Sequence, residues 1–359
     1  MLTNDVLLPG QYLPAPALDP MCADRTEFFF AELLTPTEQV VRTLGEAKEF
    51  SLTLNANATL RTGGTLNCEL LDDIPMNHRV RLWWSVEGID PWPLGVYLID
   101  ADSTGYSATS SRPGVLTLTD KMALLEGGPT GAWSQPAGTN RTTIIKDILA
   151  GLGEARAVVV ASPDTLSNMY VAEPDANWLQ IINDIRPANY WSIYTDRTGT
   201  FRMEPYVDPS DRGVAWTFAE GDTALHVPVW AYNSRKSQIP NFVKVSNQPG
   251  DETPVLIATW VNQSDGPTSI DARGRVIPAP FEEVDVPNLA ALQKYVDDKG
   301  ARLSRLAALI EGVQHAQVPV WYNEVVHFVS QGVDVHATVR EMSMSSARGA
   351  SVLATWEVI

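Results

Sequence analysis

The chain has 359 residues, 44% of them hydrophobic and 19% charged, a globular composition with enough length for two to four folding units. Its 26 Lys and Arg against 43 Asp and Glu leave a net charge of −17, which argues against a protein that grips nucleic acid through clustered cations. Two cysteines, Cys22 and Cys68, make neither a disulfide framework nor a zinc site and fit folding in a reducing cytoplasm.

Residues 1–26 are rich in Pro, Asp and Ala and read as an extended arm. They lack a basic n-region, and Pro9, Pro14, Pro16 and Pro20 interrupt them, so no secretion signal is expected. No apolar run in the chain approaches roughly 18 residues, so no membrane span is expected. Strand patterns then follow one another: Phe28–Leu33, Phe50–Leu54, Thr65–Leu71 after a Gly63-Gly64 turn, and Arg79–Val86. Trp92–Ile99 is apolar on both faces, with Trp92, Leu94, Val96 and Leu98 on one and Pro93, Gly95, Tyr97 and Ile99 on the other. Such a strand is covered on both sides. Val115–Thr119 is a further strand, and Asp120 is placed to cap a short helix after it.

Residues 127–206 read as a small α+β unit. Asn140 caps a helix with Ile144, Ile145, Ile148 and Leu149 on one face, stopped by Gly151 and Gly153. Ala157–Val160 is a short strand. Asp175 caps a second helix carrying Trp178, Ile181, Ile182 and Ile185, ended by Pro187. Tyr190–Thr195 and Thr200–Tyr206 form a hairpin around Asp196-Arg197-Thr198-Gly199.

Strands return at Val214–Phe218, Val227–Tyr232, Phe242–Asn247 and Pro254–Asn262. Asn288 caps a long helix with Leu289, Leu292, Tyr295, Val296, Leu303, Leu306 and Ile310 inward and Gly312 at its end. Gly300 weakens its middle by about 1 kcal/mol relative to Ala. The remainder reads as strands: Val313–Trp321, Glu324–Ser330, Val333–Ser345 and Ser351–Val358, with no appended module. No internal repeat of solenoid period is visible.

The motifs that carry chemistry are absent or incomplete. His78, His226, His315, His327 and His336 form no H-E-x-x-H or H-x-H pair. His327 and His336 fall where adjacent strands make them neighbours, as ordinary strand residues. Gly151-Leu152-Gly153 follows a helix instead of opening one, so it is no dinucleotide loop. Gly105-Tyr106-Ser107-Ala108-Thr109 lacks the last glycine of a nucleophile elbow. The acidic pairs Asp72-Asp73, Glu282-Glu283 and Asp297-Asp298 are adjacent in sequence, and adjacent side chains diverge, so adjacency alone builds no acid/base pair; carboxylates from distant strands would have to meet for that. No catalytic, cofactor-binding or metal-binding residue is assigned. Eleven tryptophans, spread from Trp83 to Trp356, suit cores and interfaces better than a sugar-stacking platform.

Several segments, taken in order, resemble the minor tail proteins of long-tailed, non-contractile bacteriophages of actinobacteria, and among these the tail-tip (baseplate) hub. They are Trp92-Pro-Leu-Gly-Val-Tyr-Leu, Leu116-Thr-Leu-Thr-Asp-Lys, Gln135-Pro-Ala-Gly-Thr-Asn and Phe201-Arg-Met-Glu-Pro-Tyr-Val-Asp-Pro-Ser-Asp-Arg. Further on come Ile239-Pro-Asn-Phe-Val-Lys-Val, Ala272-Arg-Gly-Arg and Val318-Pro-Val-Trp-Tyr-Asn-Glu-Val-Val-His-Phe. No single segment is diagnostic; their order and spacing carry the resemblance, which spans about residues 27–359.

The resemblance implies a mainly β fold with α+β insertions: two β-barrel domains of the phage tail hub type, related to the contractile-tail hub. It places the first barrel at 27–126 and an α+β insertion at 127–206. The second barrel falls at 207–260 plus 312–359, with a helix-bearing insertion at 261–311 and the arm at 1–26. Trp92–Ile99 becomes a wall of the first barrel, one face inward and the other open to a neighbouring subunit. The implied protein is not an enzyme. It is a homotrimeric virion component, assembled in the host cytoplasm, that joins the tail tube and distal tail protein to receptor-binding and other minor tail proteins. It also surrounds the path of the tape-measure protein and genome. The alternatives are a glycan-binding adhesion module of the tail and, less favoured, a cell-wall hydrolase.

Overall fold

The computed structural model describes residues 25–359 apart from 45–48, 70–73, 105–112, 188–190, 223, 235–238, 248–254, 264–265, 285, 287, 305–307 and 347–350. The expected arm up to residue 24, with Cys22, lies outside the described residues, as do Leu306 and the Gly105–Thr109 segment.

Thirteen strands join into one sheet. The first seven are β1 (Glu27–Leu34), β2 (Val40–Leu44), β3 (Glu49–Asn55), β4 (Thr62–Glu69), β5 (Arg79–Val86), β6 (Trp92–Thr104) and β7 (Pro113–Asp120). Six more follow: β8 (Val214–Phe218), β9 (Ala231–Ser234), β10 (Ala308–His315), β11 (Val325–Ser330), β12 (Val333–Ser345) and β13 (Val352–Val358). Their order is β9-β10-β13-β12-β3-β4-β7-β6-β5-β1-β2, with β11 paired to the first half of β12 and β8 paired to β11. The fold is mainly β, as expected, but among the described residues the strands form one open sheet and not two closed barrels. The two halves are one continuous sheet, joined where Glu341–Ser345 of β12 pairs with Ser51–Asn55 of β3. One apolar core spans both halves, from Leu52, Leu66 and Trp84 to Phe328, Val339 and Trp356.

Local sequence explains most strands. In β3 the alternation of Phe50, Leu52 and Leu54 with Ser51 and Thr53 buries one face and exposes the other. In β6, Trp92 through Tyr97 are all buried, so both faces are covered as the sequence predicts. Gly63-Gly64 is not a turn but the interior of β4. A Cβ on Gly64 would lie 1.9 Å from the Ser51 carbonyl oxygen, so close approach of β3 demands glycine there. Strand β2 was not anticipated.

Residues between β7 and β8 form a unit with its own core, containing Ile144, Ile145, Ile181, Ile182 and Phe201. Asn140 caps helix α1 (Arg141–Gly151) through its side chain, as expected. Helix α2 (Trp178–Ile185) is capped by Asn177 instead of Asp175, in a reciprocal capping box with Gln180. Strands 191–195 and 201–205 make the expected hairpin, and 157–159 adds alongside in parallel.

A third unit lies between β9 and β10. Residues 242–247 pair antiparallel with 257–261 on one side and in parallel with 282–284 on the other, in a separate three-stranded sheet. Helix α3 (Leu289–Leu303) packs Leu292 and Val296 against Val243 and Val245. The predicted helix to Gly312 stops at Leu303. Ile310 and Gly312 instead lie in β10, which hydrogen-bonds to β9 and β13, and Gly312 takes φ 75° at its bulge. Apolar spacing around Leu303–Ile310 suits either structure, and pairing on both sides decides it. The expected strand Val227–Tyr232 overlaps β9 only at Ala231 and Tyr232, and Val313–Trp321 ends as a strand at His315.

Candidate functional site: a buried charged junction

The hairpin turn 196–200 is where the α+β unit meets both halves of the sheet. Asp196 shapes it: Oδ1 accepts from the Thr198 N–H (2.9 Å), the Thr198 hydroxyl (2.6 Å) and the Thr200 N–H (3.1 Å), while Oδ2 accepts from Arg202 Nε (2.6 Å). Gly199 follows with φ 82°. The turn sits on β6: the Gly95 N–H donates to the Arg197 carbonyl (3.0 Å), and the Arg197 guanidinium lies 3.9 Å from the Trp92 ring centre. Arg197 also pairs with Glu324 at 2.5 Å, tying the turn to the segment before β11. The Tyr322 hydroxyl donates to the Thr195 carbonyl nearby. The face of β6 left open to a neighbouring subunit is therefore covered, at Trp92 and Val96, by a turn of the same chain.

Asp120 organises the other side. As expected, it caps the turn after β7, accepting from the Met122 N–H (2.9 Å), although residues 121–126 form a 3-10 helix. It also accepts from Arg61 N–H, Thr62 N–H and the hydroxyls of Thr62 and Thr195. Lys121 beside it is completely buried and donates to Glu38 and to the Gly199 carbonyl.

Glu38 and Glu154 are each shared among cations. Arg79 lies 2.9 Å from Glu38 and 3.0 Å from Glu154, Lys121 lies 3.0 Å from Glu154, and Arg156 lies 3.2 Å from Glu38. Arg81 stands 3.7 Å from Glu38 and 3.5 Å from Glu32. Burial lowers the Lys121 and Arg81 pKa values, and the neighbouring carboxylates oppose that shift. The cluster spans the first half of the sheet (Glu38, Arg79, Arg81, Lys121) and the α+β unit (Glu154, Arg156). Desolvating these charges is expensive, and their mutual pairing offsets the cost only in this one docking geometry. Chemically the junction positions chain segments: its one lysine, Lys121, is fully buried and engaged by Glu38, Glu154 and the Gly199 carbonyl.

His327 and His336 do meet across β11 and β12, with ring centres 4.7 Å apart, and His327 Nε2 lies 2.7 Å from Asp334. Among the described residues, no group of three or more His, Cys, Asp or Glu is arranged to hold a metal. His226 and His315 are buried among Phe218, Phe328 and Trp356. Burial lowers the pKa of His226 and brings that of His315 to about 4. All eleven tryptophans are buried or half-buried. Cys68 is buried and free, and burial pushes its thiol up to about 11.

Sequence reading missed the charged junction because its members are far apart in the chain. The one local signal was Arg79 and Arg81 within a strand otherwise made of large apolar residues, followed by Lys121 at the end of another.

No family model and no curated protein matches the chain. Solved structures do. A tail protein from Neisseria meningitidis MC58 superposes with a TM-score of 0.61 at 14% identity, over 92% of this chain and 96% of that one. The 43 kDa tail protein of prophage MuSo2 from Shewanella oneidensis gives 0.58 at 12% identity, over 93% and 98%. Prophage tail protein gp18 from Listeria monocytogenes gives 0.53 at 8% identity, over 91% and 94%. The chain thus has the fold of phage tail proteins, along nearly its whole length and theirs. A mainly β fold shared with phage tail proteins is what the sequence resemblance implied.

Proposed function

We propose that this chain is a structural virion protein, the tail-tip or baseplate hub of a long-tailed phage. End-to-end likeness to solved tail proteins carries the reading: over nine-tenths of both chains align. The buried junction supports it too, because a hub must transmit load without its units sliding. In this reading three copies form a ring around the genome-ejection path. Two similar halves per chain then present six similar surfaces to a six-fold tail tube. The ring's partners are the distal tail protein, the tape-measure protein and the host-recognition proteins. The −17 balance suits an acidic lumen that repels passing DNA. The domain division keeps the first half at 27–126 and the α+β unit at 127–206, and moves residues 242–261 from the second half to the third unit. An actinobacterial host rests on the sequence resemblance alone.

Electron microscopy of the intact particle tests this: the chain should form a three-fold ring at the tail end, and a capsid location overturns the proposal. The glycan-binding alternative is disfavoured because no tryptophan is exposed as a stacking face. Release of soluble fragments from host peptidoglycan by the purified chain would instead favour a hydrolase.

A further inference from the structure

The two halves of the sheet repeat one strand pattern. In the first, β5, the 13-residue β6 and β7 follow one another; in the second, β11, the 13-residue β12 and β13 do the same. Each long strand pairs through its first part with the strand before it, and through its later part with the strand after it. Each carries a bulge at the same place, between Ile99 and Ala101 in β6 and between Val339 and Glu341 in β12. Beyond β7 lie β4 and then β3; beyond β13 lie β10 and then β9. Strand β9 therefore corresponds to β3, and β6 to β12.

One pairing breaks the correspondence. The last part of β12 has β3 on its free side, with Met342 opposite Leu54, Ser343 opposite Thr53 and Met344 opposite Leu52. The equivalent edge of β6, at Ala101–Thr104, has no strand partner among the described residues, and neither has the outer edge of β9. Both segments are almost wholly exposed. Two unpaired backbone edges, each matching one side of a junction already present in the fold, are complementary templates for strand addition.

We infer that β9 of one copy pairs antiparallel with the end of β6 in the next copy, repeating the β3–β12 junction between chains. The bulges fix the register. Ile99 matches Val339, and Leu118 matches Trp356 opposite them; Gly64 and Ile310 come next, then Leu52 and Tyr232. Transferring the observed register sets Asp102 opposite Ser234, Ser103 opposite Asn233 and Thr104 opposite Tyr232. The junction within the chain is sealed by Met342, Met344, Leu52 and Leu54, all buried, whereas the one between chains is polar. A polar seam suits an edge that meets water before assembly. Arg235 and Lys236 follow β9 in the sequence, opposite in sign to Asp100 and Asp102 of β6. Each copy offers one edge of each kind, so the contact is head-to-tail and closes only as a ring. The inference rests on the ring reading above and names the strands that make it.

Full-length chain carrying Cys22→Ser, with Ser103→Cys, Asn233→Cys or both, tests it. Directly opposed strand residues lie within disulfide reach. Under mild oxidation at high concentration, the double variant should give a covalent closed trimer. A mixture of the two single variants should give a covalent dimer that neither gives alone. A trimer by light scattering that forms no mixed cross-link overturns this strand pairing and leaves the ring intact. A chain that stays monomeric at every concentration, with no three-fold ring in the particle, overturns both.

Discussion

A Cβ added to Gly199 would fall 2.5 Å from Val96 Cγ2, because the 196–200 turn is pressed onto the middle of β6. This contact turns a strand apolar on both faces into an internal joint. One face serves the core of the sheet and the other receives the neighbouring unit of the same chain.

Gly199→Ala should therefore destabilise the protein by roughly 2–4 kcal/mol, through strain at positive φ and overpacking against Val96. Urea unfolding measures it. Gly213→Ala, at a site where a Cβ meets nothing within 4 Å, should stay within about 0.5 kcal/mol of the parent. Equal effects at the two positions would remove the joint.

Glu38→Gln should cost roughly 3–5 kcal/mol, since it strips a buried anion from Lys121, Arg79 and Arg156 while keeping the shape. Glu283→Gln, on the exposed side of its strand, should be nearly silent in the same assay.

Arg197→Met and Glu324→Gln should couple. The pair is buried and joins the α+β unit to the second half of the sheet. A double-mutant cycle should return an interaction of about 1–3 kcal/mol, and simple additivity would show that the contact contributes no coupling.

Stability should fall in mild acid. His315 is neutral in the fold until pH about 4, whereas an unfolded histidine protonates near its ordinary 6.5. Between these values the unfolded state binds more protons, so stability is complete above pH 6.5 and declines as pH drops towards 4. Its burial among Phe218 and Trp356 causes the shift. His226 is shifted the same way. His315→Leu should flatten the slope of unfolding free energy against pH in that window, leaving the smaller part due to His226.

The strands of the large sheet were legible wherever a short run alternates or is wholly apolar. Arg79–Val86, Val214–Phe218 and Val333–Ser345 fall where the sequence places them. Caps were legible at Asp120, Asn140 and Asn288, because a short polar side chain before an apolar period satisfies free N–H groups locally. Asn177 was missed in favour of Asp175, since both residues suit the role and only the Gln180 reciprocal bond separates them.

The sequence by itself determined what depends on neighbours a few residues apart: the β-rich class, the α+β unit and the face-by-face character of β6. Its order of segments also carried the likeness to tail hubs. The tertiary structure alone decided what depends on distant partners. Whether two halves close or fuse into one sheet depends on hydrogen bonds between residues such as Ser51 and Ser345. Whether Glu38 meets Lys121 and Arg156 depends on chain paths separated by more than eighty residues. Backbone pairing and buried charge are specified by contacts in space, and no local periodicity encodes them.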